Sequence, residues 1–125
     1  MSKNVIKFSM LALTFALMSF SVMLTSPIVW KSEQIDLGEI PQNVPKSIDF
    51  EFTNQGNAAV TITDVKASCG CTATNYTKTV IQPGETAKVT ATYNAAAKGA
   101  FSKNVTVTTT AEETPKVLSF KGTVN

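Results

Sequence analysis

The two cysteines of this 125-residue chain stand one glycine apart, in the stretch ASCGCTAT from Ala67 to Thr74. Residues two apart on an extended chain point to the same side, so Cys69 and Cys71 can face each other across Gly70. Fully extended, their α-carbons would lie roughly 6.6 Å apart, near the upper limit for a disulfide. Closing the bond needs a bend, and glycine permits one. Three chemistries fit the pair. A local disulfide, or two packed thiols, would be structural. A bridge open to partner thiols would exchange with them. Two thiolates would bind a soft metal, provided that a second copy or nearby oxygens completed the ligand set. Ser68 and Thr72 flank the pair as further members of the motif. A bridge this short closes a tiny loop and so restricts the unfolded chain little.

Other chemistry is excluded largely by inventory. The chain has no histidine, and its four methionines all lie within the first 23 residues. A Ser-His-Asp triad, a zinc hydrolase site and a copper site of His and Met ligands therefore have no residues to build them. No glycine-rich loop followed by a basic residue offers a phosphate cradle. The acidic residues are scattered: Asp49 and Glu51 fall on the outward parity of a strand, and Glu85, Glu112 and Glu113 fall in turns. Such positions describe a solvated surface. The expectation is a chain with no catalytic residues, no cofactor and no dedicated metal site, leaving Cys69 and Cys71 as the candidate disulfide or thiol site.

The elements that must position this pair are strands. Beyond Lys31 apolar and polar residues alternate with period two, the pattern of a strand with one buried face. SIDFEF puts Ile48, Phe50 and Phe52 on one face; AKVTATYN does so with Val89, Ala91 and Tyr93. KNVTVTTT offers Val105 and Val107, and VLSFKGTVN offers Leu118, Phe120 and Val124, with Gly122 on the same parity. EQIDLGEI and AVTITDV are weaker, the latter shifting register between Ile62 and Val65. Pro83 and Gly84 fit the middle of a type II turn. Six or seven short strands separated by turns predict an all-β, immunoglobulin-like antiparallel β-sandwich of about seven strands, with a small barrel as the competing closure. Trp30 is placed before the first strand. Phe50, Phe52, Ile62, Val89, Tyr93, Val105, Val107, Leu118 and Phe120 are expected to share one core.

The first quarter of the chain is different in kind. Lys3 and Lys7 precede an uncharged, mostly apolar run from Phe8 to Trp30, the pattern of an export signal. The expected division is a signal peptide at 1–26, or an uncleaved anchor in its place, and a sandwich domain at 27–125. The 11 basic residues are all lysines, and two belong to the leader, so nine remain against nine acids. A neutral domain without arginine or lysine clusters has no electrostatic footprint for nucleic acid or, once the leader is removed, for a membrane.

The order of motifs resembles an exported bacterial family of unknown function, domain-of-unknown-function family 1573. The residues that carry the likeness are LGEI at 37–40, FEFTNQG at 50–56, SCGCT at 68–72, QPGE at 82–85, KGAF at 98–101 and VLSFKGTVN at 117–125. One departure is the lack of a proline shortly after the cysteines. The resemblance implies an immunoglobulin-like sandwich similar to major sperm protein and Hydin-type domains, which serve as binding or scaffolding modules, and it implies no enzyme activity. The expected role is an exported, non-enzymatic binding or scaffolding domain in the periplasm or on the surface of a Gram-negative bacterium, with an envelope or surface protein as partner, engaged by edge-strand pairing. The alternative is a thiol-disulfide redox or soft-metal-handling protein acting through the Cys-Gly-Cys pair.

Overall fold

The computed structural model describes residues 26–125; the expected leader lies outside them, save Ser26 at its boundary. Eight strands follow in chain order: β1 (Ile28–Trp30), β2 (Gln34–Ile40), β3 (Lys46–Asn54), β4 (Ile62–Ala67), β5 (Thr72–Tyr76), β6 (Thr86–Tyr93), β7 (Gly99–Thr109) and β8 (Lys116–Val124). They form two four-stranded sheets, β1-β3-β6-β5 and β2-β8-β7-β4. Both sheets are open, so the architecture is a sandwich and not a closed barrel.

The central strands of both sheets carry the strongest alternation, because each has neighbours on both sides and a buried face. β3 buries Ile48, Phe50 and Phe52; β6 buries Ala87, Val89, Ala91 and Tyr93. From the facing sheet come Phe101, Val105 and Val107 of β7 and Leu118, Phe120 and Val124 of β8. All nine residues expected in the core are in it, joined by Ile28, Ile40, Val60 and Ile81. The Tyr93 ring stacks on Phe101 with centroids 4.5 Å apart, linking the two sheets.

The fold class is the expected immunoglobulin-like sandwich; three details differ. Among the described residues there are eight strands, not six or seven, because the three residues of β1 are too few to show a period and the mostly polar β5 looks like a loop. Trp30 belongs to β1, paired with Phe52 of β3. The arrangement is not wholly antiparallel: β2 runs parallel to β8, Gln34 facing Ser119 and Ile40 facing Val124. The cause is that β1 and β2 are one run of chain that crosses from one sheet to the other at residues 31–33 without reversing. Cys69 and Cys71 lie between strands, in the corner between β4 and β5.

Several residues of the quoted motifs are explained by packing. Asn54 is fully buried; its amide donates to the carbonyls of Ala58 and Ile81, each at 2.9 Å, and its Oδ1 accepts the Gly56 N–H at 3.0 Å. One side chain thus ties together the loops at one end of the sandwich. Gly122 sits where β2 bulges against β8: a Cβ there would stand 2.7 Å from the Gly38 carbonyl oxygen and 2.8 Å from the Phe101 ring. Only glycine fits that gap. At the turn read from Pro83–Gly84, Gly84 has φ +87° and the Glu85 N–H donates to the Gln82 carbonyl at 2.9 Å, which is the geometry of a type II turn.

Candidate functional site at the Cys-Gly-Cys corner

β4 is an edge strand of one sheet and β5 an edge strand of the other, so residues 68–71 carry the chain across the side of the sandwich and turn it back. The turn is closed by the Thr72 N–H on the Cys69 carbonyl at 3.4 Å. Cys69 and Cys71 are joined by a disulfide, with α-carbons 5.3 Å apart. That separation is well short of the extended distance, and the bend is centred on the exposed Gly70.

Each flanking residue has an assignable task. The Ser68 N–H donates to the Asn104 carbonyl at 2.9 Å, and the Asn104 N–H donates back to the Ser68 hydroxyl at 3.1 Å. In a regular antiparallel pair the second bond would go to the Ser68 carbonyl. The hydroxyl replaces it, so the ladder with β7 is completed while the main chain is already turning away. On the other side the Cys71 carbonyl accepts the Asn94 N–H at 3.0 Å. Thr72 is buried at the start of β5, its hydroxyl 3.9 Å from the Cys71 sulfur. The corner is therefore held from both sheets. Asn94 and Asn104 were not legible as members of the site, because both act through the main chain.

Both cysteines are half-buried, Cys71 packing against the core. With both sulfurs in the bridge, the oxidised corner offers no thiolate. Among the described residues no group of three or more His, Cys, Asp or Glu side chains lies together as a metal site would require. What the arrangement can do chemically is accept attack: an incoming thiolate forms a mixed disulfide with one sulfur and releases the other as thiolate. A shallow hollow lies elsewhere, over the β2 bulge, lined by Asp36, Glu39, Phe101, Ser102 and Lys121; it shares no residue with the corner.

The family described as "Protein of unknown function (DUF1573)" matches residues 28–124. The chain belongs to this family. No curated protein matches it. Among solved structures, it is similar to a protein of unknown function from Porphyromonas gingivalis W83, with a TM-score of 0.66, 12% identity, and coverage of 81% of this chain and 50% of that one. It is equally similar to an ASH / PapD-like domain of human CEP192 (PapD-like domain 7), at TM-score 0.66 and 9% identity, covering 81% of this chain and 87% of that one. The YadV chaperone matches at TM-score 0.51 and 12% identity, over 79% of this chain and 52% of that one. The chain thus spans about half the length of the Porphyromonas protein and of the chaperone. At these identities the likeness carries the fold alone: this chain is an immunoglobulin-like sandwich, similar in fold to the PapD-like domain.

Proposed function

We propose that this DUF1573 chain is an exported, non-enzymatic binding or scaffolding domain of the bacterial cell envelope that engages a protein partner by strand pairing. The observation that carries the reading is the pair of open sheets, whose four edge strands β1, β5, β2 and β4 each lack a neighbour on one side among the described residues. An added strand satisfies such an edge with main-chain hydrogen bonds, the least demanding binding mode available to a sandwich. Similarity to a PapD-like domain and to a chaperone supports the same reading. The cationic, then apolar, N-terminus supports export.

Two measurements test it. Mass spectrometry of protein isolated from cells should find a chain beginning between about residues 20 and 31; an intact N-terminus in membrane fractions would overturn cleavage. Affinity capture from envelope extract should retrieve a partner, and competition by an added edge peptide should release it. Capture unaffected by every edge peptide would overturn strand pairing.

A second reading rests on the half-exposed disulfide, which is open to attack by an external thiol. Here the domain would exchange its bridge with partner thiols. Titration in glutathione buffers decides between the two: a redox role requires a pair that opens and closes within the buffer's range, with loss of cellular role but not of fold in the Cys69→Ser/Cys71→Ser variant.

A further inference from the structure

The four edges are not equally open. On β1 the Ile28 N–H donates to the Ser26 hydroxyl at 3.4 Å. On β2 the Gly38 N–H donates to the Asp36 carboxylate at 2.8 Å, and the Ser32 hydroxyl donates to the Gln34 carbonyl at 2.9 Å. On β5 the Tyr76 N–H is taken by the Asn75 side chain at 2.9 Å, and the Thr72 N–H by the corner turn. Over Val65–Ala67 no side chain among the described residues turns back onto the rim of β4. Ser68 bonds Asn104 of β7, and by the alternation of an antiparallel ladder Lys66 and Asp64 face β7 likewise, so the N–H and C=O groups of Val65 and Ala67 point outward.

The charges on this strand point to what pairs there. Between β3 and β6 opposite charges meet: Glu51 stands opposite Lys88, and Lys88 lies 3.7 Å from Asp49. On β4 the exposed Asp64 and Lys66 face Thr108 and Thr106 of β7 instead, and the two ion pairs among the described residues involve neither. Their spacing is self-complementary. If a second copy of β4 runs antiparallel about Val65, then Val65 meets its own counterpart as a hydrogen-bonded pair. Asp64 then stands opposite Lys66 of the other copy and Lys66 opposite its Asp64. Outward groups meet outward groups in this register, and the half-buried Val65, Cys71 and Tyr76 along this side of the core gain cover.

We propose that β4 is a self-association edge, at which two copies pair antiparallel about Val65 and join their β2-β8-β7-β4 sheets into one. This deepens the strand-pairing reading by naming a second copy as the partner.

The test uses residues 27–125, which hold both sheets entire, in sedimentation equilibrium. The wild type should show a concentration-dependent dimer. Asp64→Lys and Lys66→Asp each place two like-charged pairs across the symmetric interface and should weaken it about tenfold; melting read at concentrations where the chain is monomeric should be unchanged, because both side chains are exposed. Mixing the two variants should restore dimers, since every pair is then opposite in charge. A wild type that stays monomeric to about millimolar concentration overturns the proposal, as does a dimer indifferent to both reversals. Capture of an envelope partner by a monomeric chain would keep the binding-module reading and remove self-pairing; a charge-sensitive dimer that captures nothing would do the reverse.

Discussion

The chain changes sheets along each side of the sandwich, and the two crossings are built differently. Between β1 and β2, residues 31–33 step across without reversing, held by the Lys31 N–H on the Glu51 carbonyl and the Ser119 N–H on the Glu33 carbonyl, each at 2.9 Å. Beside this step Trp30 packs on Phe52, ring centroids 4.7 Å apart. Between β4 and β5, residues 68–71 turn the chain back, with equivalent main-chain bonds to each sheet and a disulfide in addition. The first crossing shows that hydrogen bonds from both sheets plus an aromatic contact suffice to fix such a step. The covalent link at the second is thus an addition to a corner already held, which directs attention to what a half-exposed bridge does rather than to what it holds.

That contrast yields graded forecasts. The largest effect belongs to the first crossing: Phe52→Ala removes a fully buried ring from beneath Trp30 and should cost about 3–5 kcal/mol, measured by denaturant unfolding. At the second, Cys69→Ser/Cys71→Ser should cost only about 1.5 kcal/mol, the loop-entropy relation taken to a very short loop. A loss as large as that of Phe52→Ala would make the bridge the main support of its corner and erase the distinction. Ser68→Ala removes the acceptor for the Asn104 N–H at an exposed position, where water replaces it, and about 0.5–1 kcal/mol is expected. In the variant lacking both cysteines that value should rise if bridge and hydroxyl support the same turn, a coupling that a double-mutant cycle reads directly. Smallest is Trp30→Phe. Among the described residues the buried indole N–H has no acceptor, so losing it offsets the lost ring area, and the unfolding free energy should change by less than about 0.5 kcal/mol.

Strand faces were legible in the sequence because burial on one side enforces period two, most visibly at Phe50, Phe52, Val105, Val107, Leu118 and Phe120. Strand neighbours were not. Alternation says which way a side chain points and nothing of which strand lies alongside, so the parallel pairing of β2 with β8 left no mark on residues 34–40. β5 was missed because an edge strand over a sheet corner needs little apolar surface: of Thr72–Tyr76 only Thr72 is buried. The cysteine pair announced itself by composition. The partners of Ser68 and Cys71 did not, since Asn104 and Asn94 contribute main-chain groups that any residue but proline would supply. Asn54 reads as one more polar turn residue until the loop bearing Ile81 folds over it.

The parallel pairing also sets an order of assembly. As the chain emerges N-terminus first, from the ribosome or from an export channel, the β1-β3-β6-β5 sheet has all its strands once Tyr93 is out, but β2 has no hydrogen-bonding neighbour until β8 follows. Throughout that interval Ile35, Leu37 and Ile40 belong to a strand without a sheet, and closure then depends on a contact between distant parts of the chain, the slowest kind to form. A nascent DUF1573 domain is therefore most open to capture by holding factors, or to misassembly, through its second strand.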